Sequence, residues 1–416
     1  MVRSAPVRRI RFAIVCWALA LLAGAAAAAG GGTVILISLD GTTPEQIRDP
    51  ELAGLWRLRR EGAEAERLVP VFPTNTFPNH ASLVTGVAPD RHGIVSNVFV
   101  DPERGLYSYE SDPSWLEVEP IWSLAARHGV VSAAYHWVGS EGPWRSGLGP
   151  RHWKPFDDGI PEREKVDQIL AWLDLVDPAE RPRLVTAWFH GTDGPGHRHG
   201  PGSQEARRAL REQDAELARL LEGLERRSLR ASTTLLVVSD HGMAPVSRVV
   251  NLAASLDDAG VQARVLGGGG FATLAAGGAG AAGRAVAVAR GLGLEAWRPA
   301  DAPAELRAGH PRFGDVLVVA PVGTAIVREG LRGRLQQLLA RTGATLQGGH
   351  GHRPEAPQMA AVFVAWGAGV APGARLGAVR NLDVAPTLLA LLGLPVPEWM
   401  EGEPLLAAPS ALPSQR

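Results

Sequence analysis

The sequence predicts an α/β protein with a mostly parallel central sheet. Two observations carry that expectation. Short runs of β-branched and apolar residues recur without the alternation of a half-solvated strand, as in Thr33–Leu39 (TVILISL) and Thr233–Val238 (TTLLVV); strands covered on both faces read this way. Segments of helical character separate these runs, which is the pattern of strand–helix–strand crossovers.

In chain order, the first strand ends in Asp40-Gly41 and a helical stretch follows over about 44–60. A helix-like segment at 121–128 leads into a strand at 130–135. Next come a helix at about 161–176, a strand at 183–189 and a long charged helix at about 203–227. Thr233–Val238 ends in Ser239-Asp240-His241-Gly242. From 246 to about 343 the chain is rich in Gly and Ala, an inserted region with short strands expected at 263–266, 271–274 and 316–319. A last strand is expected at 359–365, a final helix at 383–392 and a loose tail at 409–416.

With 45% hydrophobic and 20% charged residues, the 416-residue chain can bury an ample core. Residues 1–29 stand apart. Arg3, Arg8, Arg9 and Arg11 make a basic start, an apolar run covers 12–22, and small residues fill 23–29. That order is the secretory signal pattern, and the apolar run is shorter than the roughly 20 residues a membrane span needs. The expectation is a cleaved leader, a domain over 30–408, and a periplasmic or secreted product without a stable membrane span. Cys16 is the only cysteine and lies in the leader, which excludes a disulfide framework. Formal net charge is −1, and losing the four leader arginines takes it to −5. Mild acidity argues against a nucleic-acid polymer as partner.

Gly278-Ala279-Gly280-Ala281-Ala282-Gly283 matches the dinucleotide fingerprint G-x-G-x-x-G. That fingerprint also needs an acid about 20 residues on, carried by a second strand. Glu295 and Asp301 have no clear strand to carry them, so the expectation here is a flexible turn.

In open α/β sheets, ligands bind beyond the carboxyl ends of the strands. Asp40 closes the first strand, Asp193 and His197 follow the 183–189 strand, and Asp240 and His241 close Thr233–Val238. His350, with His352 beyond it, sits in a glycine loop before the last strand. An acid at a strand end is ordinarily a helix cap, but four such groups in one chain point to a metal site. Asp193 and His197 are four apart, and Gly194-Pro195-Gly196 between them predicts a tight loop rather than a helix. Asp240 and His241 reach one ion only if the chain turns, which Gly242 permits. Three Asp and three His without thiolates suit zinc or a similar divalent ion. Six or seven ligands are too many for one tetrahedral ion and about right for two. The histidines at 80, 92, 128, 136, 152, 190, 199 and 310 read as surface or hydrogen-bonded residues. The polar stretch 74–80 (TNTFPNH) reads as a loop whose Thr76 is a candidate nucleophile, given an activator for its hydroxyl.

Together these stretches resemble the nucleotide pyrophosphatase/phosphodiesterases of the alkaline phosphatase superfamily. The resemblance rests on 34–41 (VILISLDG), 73–80 (PTNTFPNH), 83–97 (LVTGVAPDRHGIVSN) and 193–201 (DGPGHRHGP). It continues through 239–243 (SDHGM), 310–323 (HPRFGDVLVVAPVG), 348–354 (GGHGHRP) and 381–392 (NLDVAPTLLALL). It implies an alkaline-phosphatase-like three-layer α/β/α sandwich with a smaller inserted cap region.

It further implies two zinc ions, one on Asp193, His197 and His350, the other on Asp40, Asp240 and His241 with the Thr76 oxygen. Thr76 would form a phosphothreonine intermediate, and Asn97 would hydrogen-bond a phosphoryl oxygen. Phe77 and Trp188, the latter where the family usually has tyrosine, would sandwich a nucleobase. Gly191-Thr192 and His352 depart from the family at positions expected to touch the leaving-group pocket. The implied substrate is a small phosphodiester or nucleotide. The alternatives are a phosphomonoesterase, a phosphonoacetate-hydrolase-like enzyme, or a lysophospholipid or choline-type phosphodiesterase. A catalytically silent metal-stabilised binding protein would have lost a ligand, and none is lost. Alkaline phosphatase proper and the sulfatases require nucleophile motifs that this chain lacks.

Overall fold

The computed structural model describes residues 32–327 and 346–406. Its centre is an eight-stranded sheet of β1 (Thr33–Leu39), β2 (Ala63–Val69), β3 (Ser132–Tyr135), β4 (His152–Lys154), β5 (Leu184–Phe189), β6 (Thr233–Val238), β7 (Phe363–Gly367) and β8 (Ala374–Arg380). The order across the sheet is β8-β2-β7-β6-β1-β5-β3-β4. β1 lies parallel between β5 and β6, with Leu36 opposite Thr186 and Leu236. Within this sheet β7 alone runs against its neighbours.

Successive side chains of a strand point to opposite faces, and β1 uses both faces for core. Val34 and Leu36 pack into one apolar cluster, and Ile35, Ile37 and Leu39 into another. The helices around this sheet include α1 (Ala53–Glu61), α2 (Thr76–Thr85), α3 (Ile121–Arg127), α4 (Glu162–Leu173), α5 (Asp193–His199), α6 (Gln204–Arg226) and α7 (Val384–Leu391). α2, α3 and α7 contribute to the first cluster, and α1, α4 and α6 to the second. The result is the three-layer α/β/α sandwich. α6 shows the local logic: the Ser203 hydroxyl caps its first turn by accepting from the Ala206 N–H, worth about 1 kcal/mol. Its Leu210, Leu217, Leu220, Leu221 and Leu224 are buried, each contributing about 1.5–3 kcal/mol.

Several local expectations need correction. The helix expected over 44–60 is split into a short 3-10 turn, Gln46–Arg48, and α1, because Pro50 disfavours helical geometry at Asp49. β2 (AEAERLV) and β8 (ARLGAVR) carry charged residues, which masks their strand character in the sequence. The strand expected at 359–365 begins at Phe363, after a 3-10 turn at Pro357–Met359, and it is not the last, since β8 follows it.

In the Gly/Ala-rich region, Ala263–Gly268, Phe271–Ala276, Val316–Val319 and Glu295–Trp297 form a separate antiparallel sheet in that order. Residues of Leu252–Asp258 and Ala279–Gly291 share its apolar core. The glycine fingerprint is no flexible turn: Gly278, at φ 104°, precedes the first turn of the helix Ala279–Gly291. The strands flanking that helix do not pair, because Val316–Val319 lies antiparallel between them, so the adjacent parallel strands of a dinucleotide fold are missing. The expected leader at 1–29, the expected tail at 409–416 and the 328–343 part of the expected insertion lie outside the described residues. Among the described residues, no helix is long and apolar enough to cross a membrane.

Candidate metal centre and active site

The carboxyl ends of β1, β5 and β6 converge on one site. Asp40 directly follows β1, and the Asp40 N–H is still bonded to Phe189 O at the end of β5. Gly41 then turns at φ 66°, a conformation that favours glycine, and its N–H donates to Asp240 Oδ1 at 3.1 Å. Asp240 and His241 follow β6 after Ser239, whose hydroxyl donates to Thr42 O.

Asp193 and His197 lie on α5, at its first and fifth residues, so the tight loop expected here is a helix. The proline is tolerated because Pro195 falls in the first turn, where N–H groups have no intrahelical partner. The i, i+4 spacing then puts both side chains on one face. His350 follows the strand Leu346–Gly349, which pairs antiparallel with Ala244–Val246. Thr76, expected in a loop, is the first residue of α2. Both Thr76 and Asp193 therefore sit at helix N-termini, the end that attracts negative charge.

Two trios form. Asp193, His197 and His350 are one, and Asp40, Asp240 and His241 the other; within each trio the ligand atoms lie within 4.8 Å of one another. His241 Nε2 is 3.1 Å from Asp240 Oδ2, 3.6 Å from Asp40 Oδ1 and 3.2 Å from Thr76 Oγ1. His197 Nε2 is 3.3 Å from Asp193 Oδ1 and 3.1 Å from His350 Nε2. The His241 and His350 rings stack with centroids 3.7 Å apart, which brings the trios side by side.

Three observations fit these residues to divalent ions. The Nδ1 atoms of His197, His241 and His350 face the carbonyls of Gly348, Gly242 and Thr74, each at 2.9 Å. A carbonyl only accepts, so each ring carries its proton on Nδ1 and turns an Nε2 lone pair inward, the usual orientation of a metal-binding histidine. Each aspartate also has a buried oxygen without a hydrogen-bond partner: Asp40 Oδ1, Asp193 Oδ1 and Asp240 Oδ2. Finally, burial, followed by repulsion from Asp240 and Asp193, pushes the Asp40 carboxyl well above its ordinary range. Burial, reinforced by His241 and His197, pushes His350 well below its own. Clustered anions and inward lone pairs of this kind are relieved by bound cations.

A cavity of about 620 Å³ opens on this centre, lined by Thr76, Phe77, Tyr109, Phe156, Trp188 and Arg198 among others. Phe77 and Trp188 both line it, but their planes meet at 86° with centroids 6.1 Å apart. They form no parallel slot for a base, because the Trp188 indole N–H is turned to Asp40 Oδ2 at 2.9 Å. Phe156 and Tyr109 are the aromatic residues that sequence reasoning missed. Both residues are exposed, and the available signal was an aromatic set among polar and charged residues, in KPFDD and YSYES. Asn97 Oδ1 accepts the Phe77 N–H at 2.9 Å, leaving its NH₂ group for another acceptor.

His352 does not line that cavity; it is buried with Nδ1 facing Ala320 O at 2.9 Å and ties the glycine loop to the insertion. Thr192 Oγ1 donates to Asp40 O at 2.8 Å and so supports the β1 turn. His80, read as an ordinary hydrogen-bonded residue, is so bonded, but in the site: its Nδ1 lies 2.9 Å from Thr76 O and 3.4 Å from Asp240 Oδ2.

An uncharacterized pyrophosphatase/phosphodiesterase of Schizosaccharomyces pombe is 40% identical over 222 residues, 52% of this chain and 45% of that protein. Human ectonucleotide pyrophosphatase/phosphodiesterase family member 1 is 35% identical over 216 residues, 50% of this chain and 23% of that protein. The chain spans less than half the length of these curated relatives. Among solved structures, murine ectonucleotide pyrophosphatase/phosphodiesterase 5 superimposes with a TM-score of 0.78 at 24% identity, covering 88% of this chain and 96% of that one. An inactive variant of the mouse protein in complex with AMP matches equally well; at this identity the likeness speaks for the fold. Residues 34–351 match the type I phosphodiesterase/nucleotide pyrophosphatase family, and the chain belongs to that family, within the alkaline phosphatase superfamily.

Proposed function

We propose that the chain is a two-metal phosphodiesterase and nucleotide pyrophosphatase that works through a phosphothreonine on Thr76. The observation that carries this reading is the position of Thr76 Oγ1, 3.2 Å from His241 Nε2 at the head of α2. A hydroxyl placed there faces ligand atoms rather than a general base. Asp193, His197 and His350 would hold one divalent ion, zinc by donor type, and Asp40, Asp240 and His241 the other. When bound, such ions supply Lewis acidity that favours an alkoxide and offsets charge on the transferring phosphoryl group.

The chain's own groups do the rest. Thr76 releases its hydroxyl proton to solvent and its Oγ1 attacks phosphorus; the bond from phosphorus to the leaving oxygen breaks, and that oxygen departs with the electron pair and takes up a proton from solvent. The Asn97 NH₂ group donates to a non-bridging oxygen, aided by the positive end of α2. Water then attacks phosphorus, the bond to Thr76 Oγ1 breaks, and a proton replacing the one that water loses restores the Thr76 hydroxyl as the phosphate product leaves. The aromatic rings around the cavity suit a planar group on the retained phosphate, and the AMP complex of the mouse relative supports a nucleotide. Export by the 1–29 leader belongs to the same reading, and fractionation of cells with N-terminal sequencing of the product tests it.

The central test compares a nitrophenyl nucleotide diester, nitrophenyl phosphate and nitrophenyl phosphorylcholine, with and without chelator. The nucleotide diester should turn over fastest, and only with metal. Faster turnover of the monoester would transfer the reading to a phosphomonoesterase, and faster turnover of the choline ester to a lipid head-group diesterase. Thr76→Ala should lose about 10³-fold or more in turnover while keeping its metal content. Full activity in that variant would eliminate the covalent route.

A further inference from the structure

Trp188 belongs both to the aromatic wall of the cavity and to the metal-ligand set. In the β1–β5 register it stands opposite Ser38, two residues before Asp40, so its side chain and that of Asp40 share one face as diagonal neighbours. Its indole N–H donates to Asp40 Oδ2 at 2.9 Å, with both residues buried. The other oxygen, Asp40 Oδ1, has no hydrogen-bond partner and lies 3.6 Å from His241 Nε2. The indole can only donate and does not titrate, so this bond has one sense at every pH.

We propose that Trp188 is a positioning residue for the Asp40–Asp240–His241 centre: its N–H occupies Asp40 Oδ2 and leaves Oδ1 as the single oxygen presented to the ion. The proposal rests on the reading of that trio as metal ligands. A partner that fixes a ligand's orientation is worth about 10–100-fold in metal affinity. Packing is a separate role. The indole also lies against Phe156, with centroids 4.9 Å apart, and His80, at 4.8 Å, contacts that any large ring would satisfy. The hydrogen bond is the part that needs tryptophan, and it acts on one trio only, because the ligands of the other make no bond to the indole.

The test titrates the full chain, stripped of metal, with Zn²⁺ alone in a chelator buffer and resolves the two equivalents. Trp188→Phe keeps a ring and removes the donor. Replacing Trp188 by β-(3-benzothienyl)alanine keeps the shape and removes only the N–H, so it answers even where the phenylalanine variant folds poorly. Phe156→Ala removes a packing partner and leaves the bond. The expected result is a loss of about 10–100-fold for one equivalent in both Trp188 variants, with the second equivalent and Phe156→Ala unchanged. Wild-type affinity for both equivalents in the benzothienyl variant, or an equal loss at both, overturns the proposal. A wild-type chain that binds no Zn²⁺ would instead overturn the metal reading beneath it.

Discussion

His197 Nε2 and His350 Nε2 lie 3.1 Å apart, and in neutral rings both would present lone pairs. Both rings hold their hydrogen on Nδ1, against Gly348 O and Thr74 O, and burial keeps His350 neutral. Two lone pairs at hydrogen-bond distance repel unless a cation lies between them and the Asp193 oxygen. Chelation should therefore abolish turnover and lower the melting temperature, and Zn²⁺ should restore both. At a free concentration of about 1,000 times Kd the gain is about 4 kcal/mol, readable by calorimetry. Since imidazoles and carboxylates would be the ligands and protons compete for them, affinity should fall as pH falls; a pH-independent affinity would contradict this assignment.

In the proposed mechanism Asn97 would divide its amide between two tasks, and substitution can separate them. Its Oδ1 accepts the Phe77 N–H at 2.9 Å and so fixes the first turn of α2. Asn97→Asp keeps that acceptor, removes the NH₂ donor and adds a negative charge where phosphoryl oxygens must sit. Asn97→Ala removes both. Each should lower kcat by about 10²–10³-fold, but only Asn97→Ala should also lose stability, about 1 kcal/mol. Steady-state kinetics and urea unfolding on the two variants check this, and near-wild-type kcat in Asn97→Asp would refute the donor role.

Lys165 is fully buried, and its Nζ donates to Trp188 O and faces His190 Nδ1, both at 2.9 Å. Burial lowers its pKa to about 8, against the opposing pull of Glu162. The unfolded lysine titrates near 10.4, so between about 8 and 10.4 the unfolded chain binds more protons than the folded one. Stability from this group must then rise with pH across that window. Lys165→Met should remove that rise, and the difference between the two proteins' unfolding free energies at pH ~7 and ~10 measures it.

How much of this was legible in the sequence depends on what each residue answers to. β1, β5 and β6 were readable because strands buried on both faces have one composition available to them. β2 and β8 were hidden by side chains such as Glu64, which carries its charge into the sheet and pairs with Arg59 and Arg375. The two Asp/His trios were visible because chemistry dictates residue type. The helical setting of Asp193 was not, since the effect of Pro195 depends on whether it falls in a first turn or an interior one. The Trp188–Asp40 bond was invisible for another reason: it follows from strand register, which local spacing does not state.

The insertion is tied to the active-site hairpin through one buried cation. Arg312 Nε donates to Asp101 Oδ2 at 2.6 Å, Nη2 lies 3.0 Å from Glu117 Oε1, and Nη1 donates to Gly93 O and Trp115 O. The guanidinium also lies over the Phe99 and Trp115 rings. Asp101 and Phe99 belong to the strand Val98–Asp101, which pairs with Gly105–Ser108; the residues flanking this hairpin, Asn97 and Tyr109, are themselves joined by a backbone bond of 3.0 Å. Removing Arg312 leaves the buried Asp101 carboxylate without its cation, held only by the Glu103 and Arg104 N–H groups, so Arg312→Met should destabilise the protein by about 3–5 kcal/mol. Arg312→Lys should lose less, since it keeps the charge but not the fork. Burial alone would raise the Asp101 pKa, but the Arg104 N–H, the Arg312 guanidinium and the Glu103 N–H outweigh it and hold it at about 2. A depressed carboxylate stabilises the fold above its unfolded pKa near 3.9, and that contribution is lost as pH falls toward about 2. Wild-type stability should therefore step down across that acid window, and Arg312→Met, already without the pair, should show a smaller step. Equal acid sensitivity in the two proteins would mean that Asp101 draws its stabilisation from the backbone N–H groups rather than from Arg312.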